Sequence, residues 1–291
     1  MENLKNNWGA LLSLPKDRLI AQFGLLVFAT YLIKSGVENP WLSLPLILGL
    51  LFYMMLKQPA YLSSPFWMGA AAVLLTDIIL NYFNWANHHF VLFYFCLVLA
   101  ITFSCPGPER EKILTVNSRW LIAGIMFFAA FQKVLSPAYA SGSFMGSMAL
   151  SGELVQLLTP FFPGVKAALS QNRELLIRIA TEKPTLTETY KFIAPFPFFR
   201  QVSIFFAYVI ALSELLVALA FVFFDSQKWR HILLIGIILG VFIVRLETGF
   251  LSILCLLGMA HCPSQWTKYR GIYIGLILLF VSLIIIGLGI E

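Results

Sequence analysis

Charged side chains make up only 12% of this 291-residue chain, and they form no run of like sign. An ordinary soluble domain carries about twice that share, so its surface could not be built from this composition. The net charge of +6 is scattered, and without a basic tract it gives no reason to expect a nucleic-acid partner. Cysteine is scarce too: Cys96, Cys105, Cys255 and Cys262 make no CxxC pair, which argues against a disulfide framework or a zinc site. Each is read as a small apolar packing residue. Phosphate-cradling glycine loops and solenoid periods do not occur. The opening stretch "MENLKNNWGALLSLPKDR" has no apolar run leading to a small-residue cleavage site, so the first span is read as a signal anchor.

Apolar residues fill the space left by charge. They make up 59% of the chain, with a mean hydropathy of +0.84, and run after run approaches the about 20 residues a spanning helix requires. These runs do not alternate with a period of two, as barrel strands would, and only helices and closed barrels satisfy their own backbone in lipid. The expected fold is therefore all-α, a polytopic integral membrane helix bundle of about 8–9 spans forming a single membrane domain over 1–291. Spans are expected near 18–36, 40–57, 66–83, 88–105, 116–135, 202–224, 231–245, 248–262 and 272–290. The last-but-two and last-but-one are kept apart because one long helix would sink Arg245 and Glu247 into hydrocarbon at roughly 2–3 kcal/mol each. Lys5, Lys16, Arg18, Lys57, Arg110, Lys112, Arg119, Lys228, Arg230, Lys268 and Arg270 all fall in short loops of one side, against Lys34, Lys133 and Arg245 on the other. That bias places the N-terminus in the cytoplasm and leaves 146–201 as an outer-side interfacial loop, with an amphipathic helix around 164–182.

This topology brings several polar residues to the outer half of the bundle. Lys133 ends the fifth span, "NWANHHF" opens the fourth, Arg245 and Glu247 stand at a helix junction, and Glu214 and Asp77 lie within spans. A lone lysine at a helix end can simply snorkel to the headgroups, a lone histidine can bond a loop carbonyl, and an Arg–Glu pair at a helix break can be structural. Glu214 is different, because an acid within the bilayer requires a partner or a wet cavity. His88 and His89 are adjacent and have no second ligand pair, so no metal is expected; His261 beside Cys262, on the opposite side, is the remaining weak candidate.

Two stretches carry a resemblance. "WANHHFVLFYF" is similar to the Asn-His signature that opens a membrane helix in vitamin K-dependent gamma-carboxylases and their bacterial relatives, the HTTM (horizontally transferred transmembrane) proteins. "FFAAFQKVLSPAYASGSFM" resembles their next signature, with Lys133, Tyr139, Gly142 and Met145 at the matching positions. The segments "LSELLVALAFVFFD" and "GFLSILCLLGMA" agree more loosely. The resemblance implies that Lys133 is the base that deprotonates a reduced naphthoquinone of the vitamin K type, which oxygen then converts to its epoxide, in the family with carbon dioxide added to a glutamate. It implies that His88 supports the charged oxygen species. Trp85, Asn87, Tyr139, Glu214, Arg245 and Glu247 are the candidate substrate-binding residues. The implied partners are the lipid bilayer, a lipid-soluble quinone and an exported peptide, and the implied location is a bacterial cytoplasmic membrane. The other reading is a non-enzymatic membrane factor for maturation or export of a small secreted peptide. A lysine must be neutral to act as a base, and apolar surroundings penalise its charged form.

Overall fold

Helix is the only regular structure among the described residues of the computed structural model, which describes 9–38, 49, 59–80, 87–152, 154, 161–182, 190–224 and 227–287. The order is α1 (Lys16–Glu38), a short 3-10 turn (Ala60–Leu62), α2 (Ser64–Leu80), α3 (Asn87–Ser104), α4 (Gly107–Leu135), α5 (Pro137–Ala140), α6 (Ser143–Ser151), α7 (Pro163–Glu182), α8 (Phe199–Phe223), α9 (Lys228–Arg245), α10 (Thr248–His261) and α11 (Thr267–Ile285). The span expected at 40–57 lies outside the described residues. Among the described residues, three helices, α4, α8 and α11, are long and apolar enough to cross a membrane, while α2, α10 and most of α3 form shorter apolar helices.

The chain separates into two compact units. The first comprises 1–123, 221–238 and 247–291, the second 124–220 and 239–246. In the first unit, α10 is the centre. Every residue from Leu251 to His261 is buried, so over that stretch the helix turns no face outward, as an apolar helix inside a bundle must. It packs against α1, α3 and α11, and α2 covers α3. Gly258 makes the tight contact of α10 with α11 possible: a Cβ there would lie 2.6 Å from the ring of fully buried Tyr273.

In the second unit a cluster of Met145, Met148, Ala149, Leu154 and Ala207 joins α6 to α8, with Tyr139, Phe199, Ile210 and Val244 packed on it. Gly142 holds the turn between α5 and α6. Its φ of 74° is open to glycine, and a Cβ would meet Ile204 at 2.6 Å. The helix α7 turns its apolar face inward through Ala168 and Leu169, and Asn172 is fully buried. Its amide donates to the Ile193 carbonyl at 2.9 Å and accepts from the Ile193 N–H at 2.8 Å, tying the irregular chain after residue 190 to the helix.

The helices α9 and α10 are distinct, separated by Leu246 at φ 52° and by Glu247. The helix α4 begins at Gly107, nine positions before the expected 116, because the polar stretch "GPEREKILTVNSR" is helical as well. Apolar content locates a span; it does not locate the helical turns that continue beyond the hydrocarbon.

Substituting Gly258→Ala would press a methyl into the Tyr273 ring and is expected to cost about 1–3 kcal/mol. A melting curve of the detergent-solubilised protein would show this as a fall of several degrees. An unchanged curve would mean that α10 and α11 separate without penalty.

Candidate functional site

Lys133 occupies the last turn of α4, where a cation also offsets the negative end of the helix dipole. Its Nζ donates to both carboxylate oxygens of Glu214 on α8, each at 2.7 Å. Both side chains are mostly enclosed, with 19% and 12% of their surfaces exposed. The ammonium also lies over the Tyr139 ring, 5.5 Å from its centroid. Tyr139 in turn stacks on Phe144 at 5.2 Å and 24°, and Phe144 keeps 40% of its surface exposed.

Local sequence explains the placement of Tyr139. Ser136 precedes α5 in an extended conformation, Pro137 supplies the fixed φ of the first helical position, and Gly142 ends the turn in the left-handed region. This one-turn helix returns the chain beneath Lys133. Two of the expected site residues, Tyr139 and Glu214, thus both meet the ammonium of a third, Lys133. An ion pair of this kind in an apolar region is well suited to hold or move a proton, because transfer from Nζ to the carboxylate leaves a neutral amine without altering the net charge.

The other expected residues are distributed differently. Asn87 and His88 lie in the first turn of α3 but their side chains are outside the described set, as is Trp85 altogether. Arg245 ends α9 and Glu247 precedes α10, so the two flank the junction at Leu246. The neighbour His89 is the described histidine: it is buried, and its ring lies 5.2 Å from that of Tyr31. Tyr31 donates its hydroxyl proton to Asp77 Oδ2 at 2.7 Å within the first unit. A pocket bounded by Thr30, Tyr31, His89, Leu92 and Ser252 adjoins this acid–phenol pair. Asp77 was visible in the sequence as an acid within a span; its phenolic partner on α1 carried no sequence signal.

The opposite end of the first unit holds a second polar network that sequence reading did not find. His231 Nδ1 shares a 2.9 Å hydrogen bond with the Tyr273 hydroxyl, and His261 Nδ1 donates to the Thr115 carbonyl at 3.1 Å. The two imidazoles lie nearly parallel, 5.5 Å apart. Arg119 caps the C-terminus of α8 by donating to the Phe221 and Val222 carbonyls, and buried Arg230 donates to that of Phe224. Lys16 reaches Thr115 Oγ1 at 2.8 Å and Glu111 at 3.7 Å. Only the adjacent pair His261 and Cys262 was noticed from the sequence, because His231 sits 30 residues away on another helix. No group of three or more His, Cys, Asp or Glu side chains among the described residues could hold a metal ion. All four cysteines are free.

No family model, curated protein or solved structure matches the chain.

Lys16 stands at the first residue of α1, ahead of its apolar run, and burial lowers its pKa from 10.5 to about 8 although Glu111 pulls the other way. The protonated amine is penalised in the folded chain alone, so stability should rise as pH climbs from about 8 towards 10.5. Melting temperatures across that window should show this slope in the wild type and a flatter one in Lys16→Met. Parallel slopes would remove Lys16 as its source.

Proposed function

We propose that the chain is a membrane protein of the vitamin K-dependent gamma-carboxylase and HTTM type, in which Lys133 acts as a base on a lipid-soluble quinol in the outer half of the bilayer. The reading rests on one observation above all. Lys133, the position that resembles the family's motif lysine, is held by an acid from a separate helix, Glu214, at 2.7 Å. A lysine that merely snorkelled to the headgroups would have no such partner. In this reading the ammonium proton moves to Glu214, and the free amine then takes the hydroxyl proton of a reduced naphthoquinone. Molecular oxygen supplies the oxidation, converting the quinol to its epoxide and water. Tyr139 supports the lysine head group through its ring face. The topology that accompanies this proposal has the N-terminus in the cytoplasm, about 8–9 spans and a bacterial cytoplasmic membrane. An exported peptide is the proposed recipient of any coupled modification, and His88 the proposed support for the charged oxygen species.

Oxygen-dependent conversion of a reduced naphthoquinone to its epoxide, measured on purified protein in lipid vesicles, tests the reading. Lys133→Met should abolish turnover while quinone binding persists, and Glu214→Gln should reduce it by roughly 10²–10⁴-fold, the usual contribution of acid–base assistance. Turnover that survives in Lys133→Met would sink the assignment of the base. A wild type inactive on a panel of naphthoquinols would overturn the enzymatic reading in favour of a maturation or export factor, for which co-purification of a small secreted peptide is the corresponding assay.

A further inference from the structure

The second unit carries aromatic side chains whose exposure its own packing does not explain. Phe161 and Phe162, just before α7, are 76% and 55% exposed, and Phe198 is 75% exposed. Phe192 and Ile193, at 37% and 45%, lie on the irregular segment that Asn172 fastens to α7. Phe198 is held at φ 54°, a conformation a bulky side chain adopts only under constraint. The backbone is thus strained at a residue that points its ring out of the protein.

The sequence pattern alone would assign the membrane contact to α7. The structure argues otherwise, because the apolar positions Ala168 and Leu169 of that helix are buried. Its exposed positions include Lys166, Ser170, Gln171, Arg173 and Glu174, with Ile177, 56% exposed, the large apolar exception. The aromatic residues on either side of α7 are turned outward as well.

Their place along the chain shows what covers them. Phe198 immediately precedes α8, a helix long enough to cross a membrane, whose exposed positions Phe205, Tyr208, Leu212 and Leu216 are 63%, 58%, 58% and 50% accessible. That apolar stripe belongs among acyl chains, and Phe205 lies about 10 Å along the helix from Phe198 at 1.5 Å per residue. Phe198 therefore stands where a spanning helix passes through the boundary between hydrocarbon and headgroups, the depth at which aromatic rings concentrate. Exposed Lys191 and Arg200 lie close by in sequence and suit the phosphate layer just above that depth.

We propose that Phe161, Phe162, Phe192 and Phe198 form an interfacial anchor that seats the second unit in the headgroup region of the leaflet where α8 begins, its partner being the phospholipid surface itself. The anchor is independent of any catalysis at Lys133. Its rings occupy the glycerol-ester level, Lys191 and Arg200 meet phosphates, and the polar face of α7 remains in water.

The test uses the full-length protein in vesicles of phosphatidylcholine and phosphatidylglycerol, in a Cys105→Ser background because the other three cysteines are buried. A nitroxide at Phe198→Cys, and separately at Phe161→Cys, is compared with one at Ser170→Cys on the exposed face of α7. Collision with oxygen relative to a water-soluble nickel chelate should be several-fold greater at 198 and 161 than at 170. Equal ratios at all three sites would place the aromatic residues in water and overturn the proposal. Protection of 198 and 161 from both reagents would also overturn it, since a protein surface and not lipid would then be covering them. The Phe161 label alone decides the matter if the Phe198 variant does not fold.

Discussion

An ammonium and a carboxylate on the apolar stretches of two helices have one inexpensive arrangement in hydrocarbon, which is to meet. Neither Lys133 nor Glu214 could be left facing lipid alone without a penalty of several kcal/mol, so their contact fixes the rotation of α4 and α8 about their own axes within the second unit. Much else in that unit follows from this register. The α5 turn must bring Tyr139 under the ammonium, Gly142 must accept a left-handed conformation to let the chain pass Ile204, and α6 must then pack its methionines on α8. The resulting arrangement is an ion pair set beside stacked aromatic rings, with Phe144 still partly exposed.

The first unit solves the same difficulty by different means. Several of its buried polar groups are paired in small local sets: Tyr31 with Asp77 at one end, and His231 with Tyr273 and His261 with the Thr115 carbonyl at the other. The arginines Arg119 and Arg230 satisfy carbonyls at and just beyond the end of α8, which would otherwise be orphaned. Between the two ends the stretch of α10 from Leu251 to Ala260 is buried throughout and is apolar apart from Ser252, whose hydroxyl donates to the Thr248 carbonyl of the same helix. The polar side chains thus satisfy one another locally, as a region without water demands.

Hydropathy made the helices legible because their apolar runs are long and unbroken. The junction at Leu246 was visible because two opposite charges within three residues cannot sit at mid-bilayer. Lys133 and Glu214 could each be singled out, since each is an isolated charge in an apolar run, but their direct contact depends on helix rotation, which a linear pattern does not encode. The same holds for Tyr31 with Asp77 and for His231 with Tyr273, where one partner of each pair is an aromatic residue indistinguishable in sequence from its lipid-facing neighbours. The amphipathic pattern of α7 was readable, yet not its direction: a face of Ala168 and Leu169 serves equally well against lipid or against protein, and here it meets protein. The early start of α4 was missed because its first turns carry the charges that helix-spanning scales count against a membrane helix.

The double hydrogen bond between Asn172 and Ile193 carries a separate implication. A side-chain amide that both donates to and accepts from one backbone unit reproduces the pairing offered by an adjacent β-strand. The irregular chain at Ile193 therefore finds a strand-like partner that is only one residue wide and cannot be lengthened. The N–H and C=O of Ile193 are satisfied there without creating a ladder, which removes this one residue from any template on which a second chain could build a sheet.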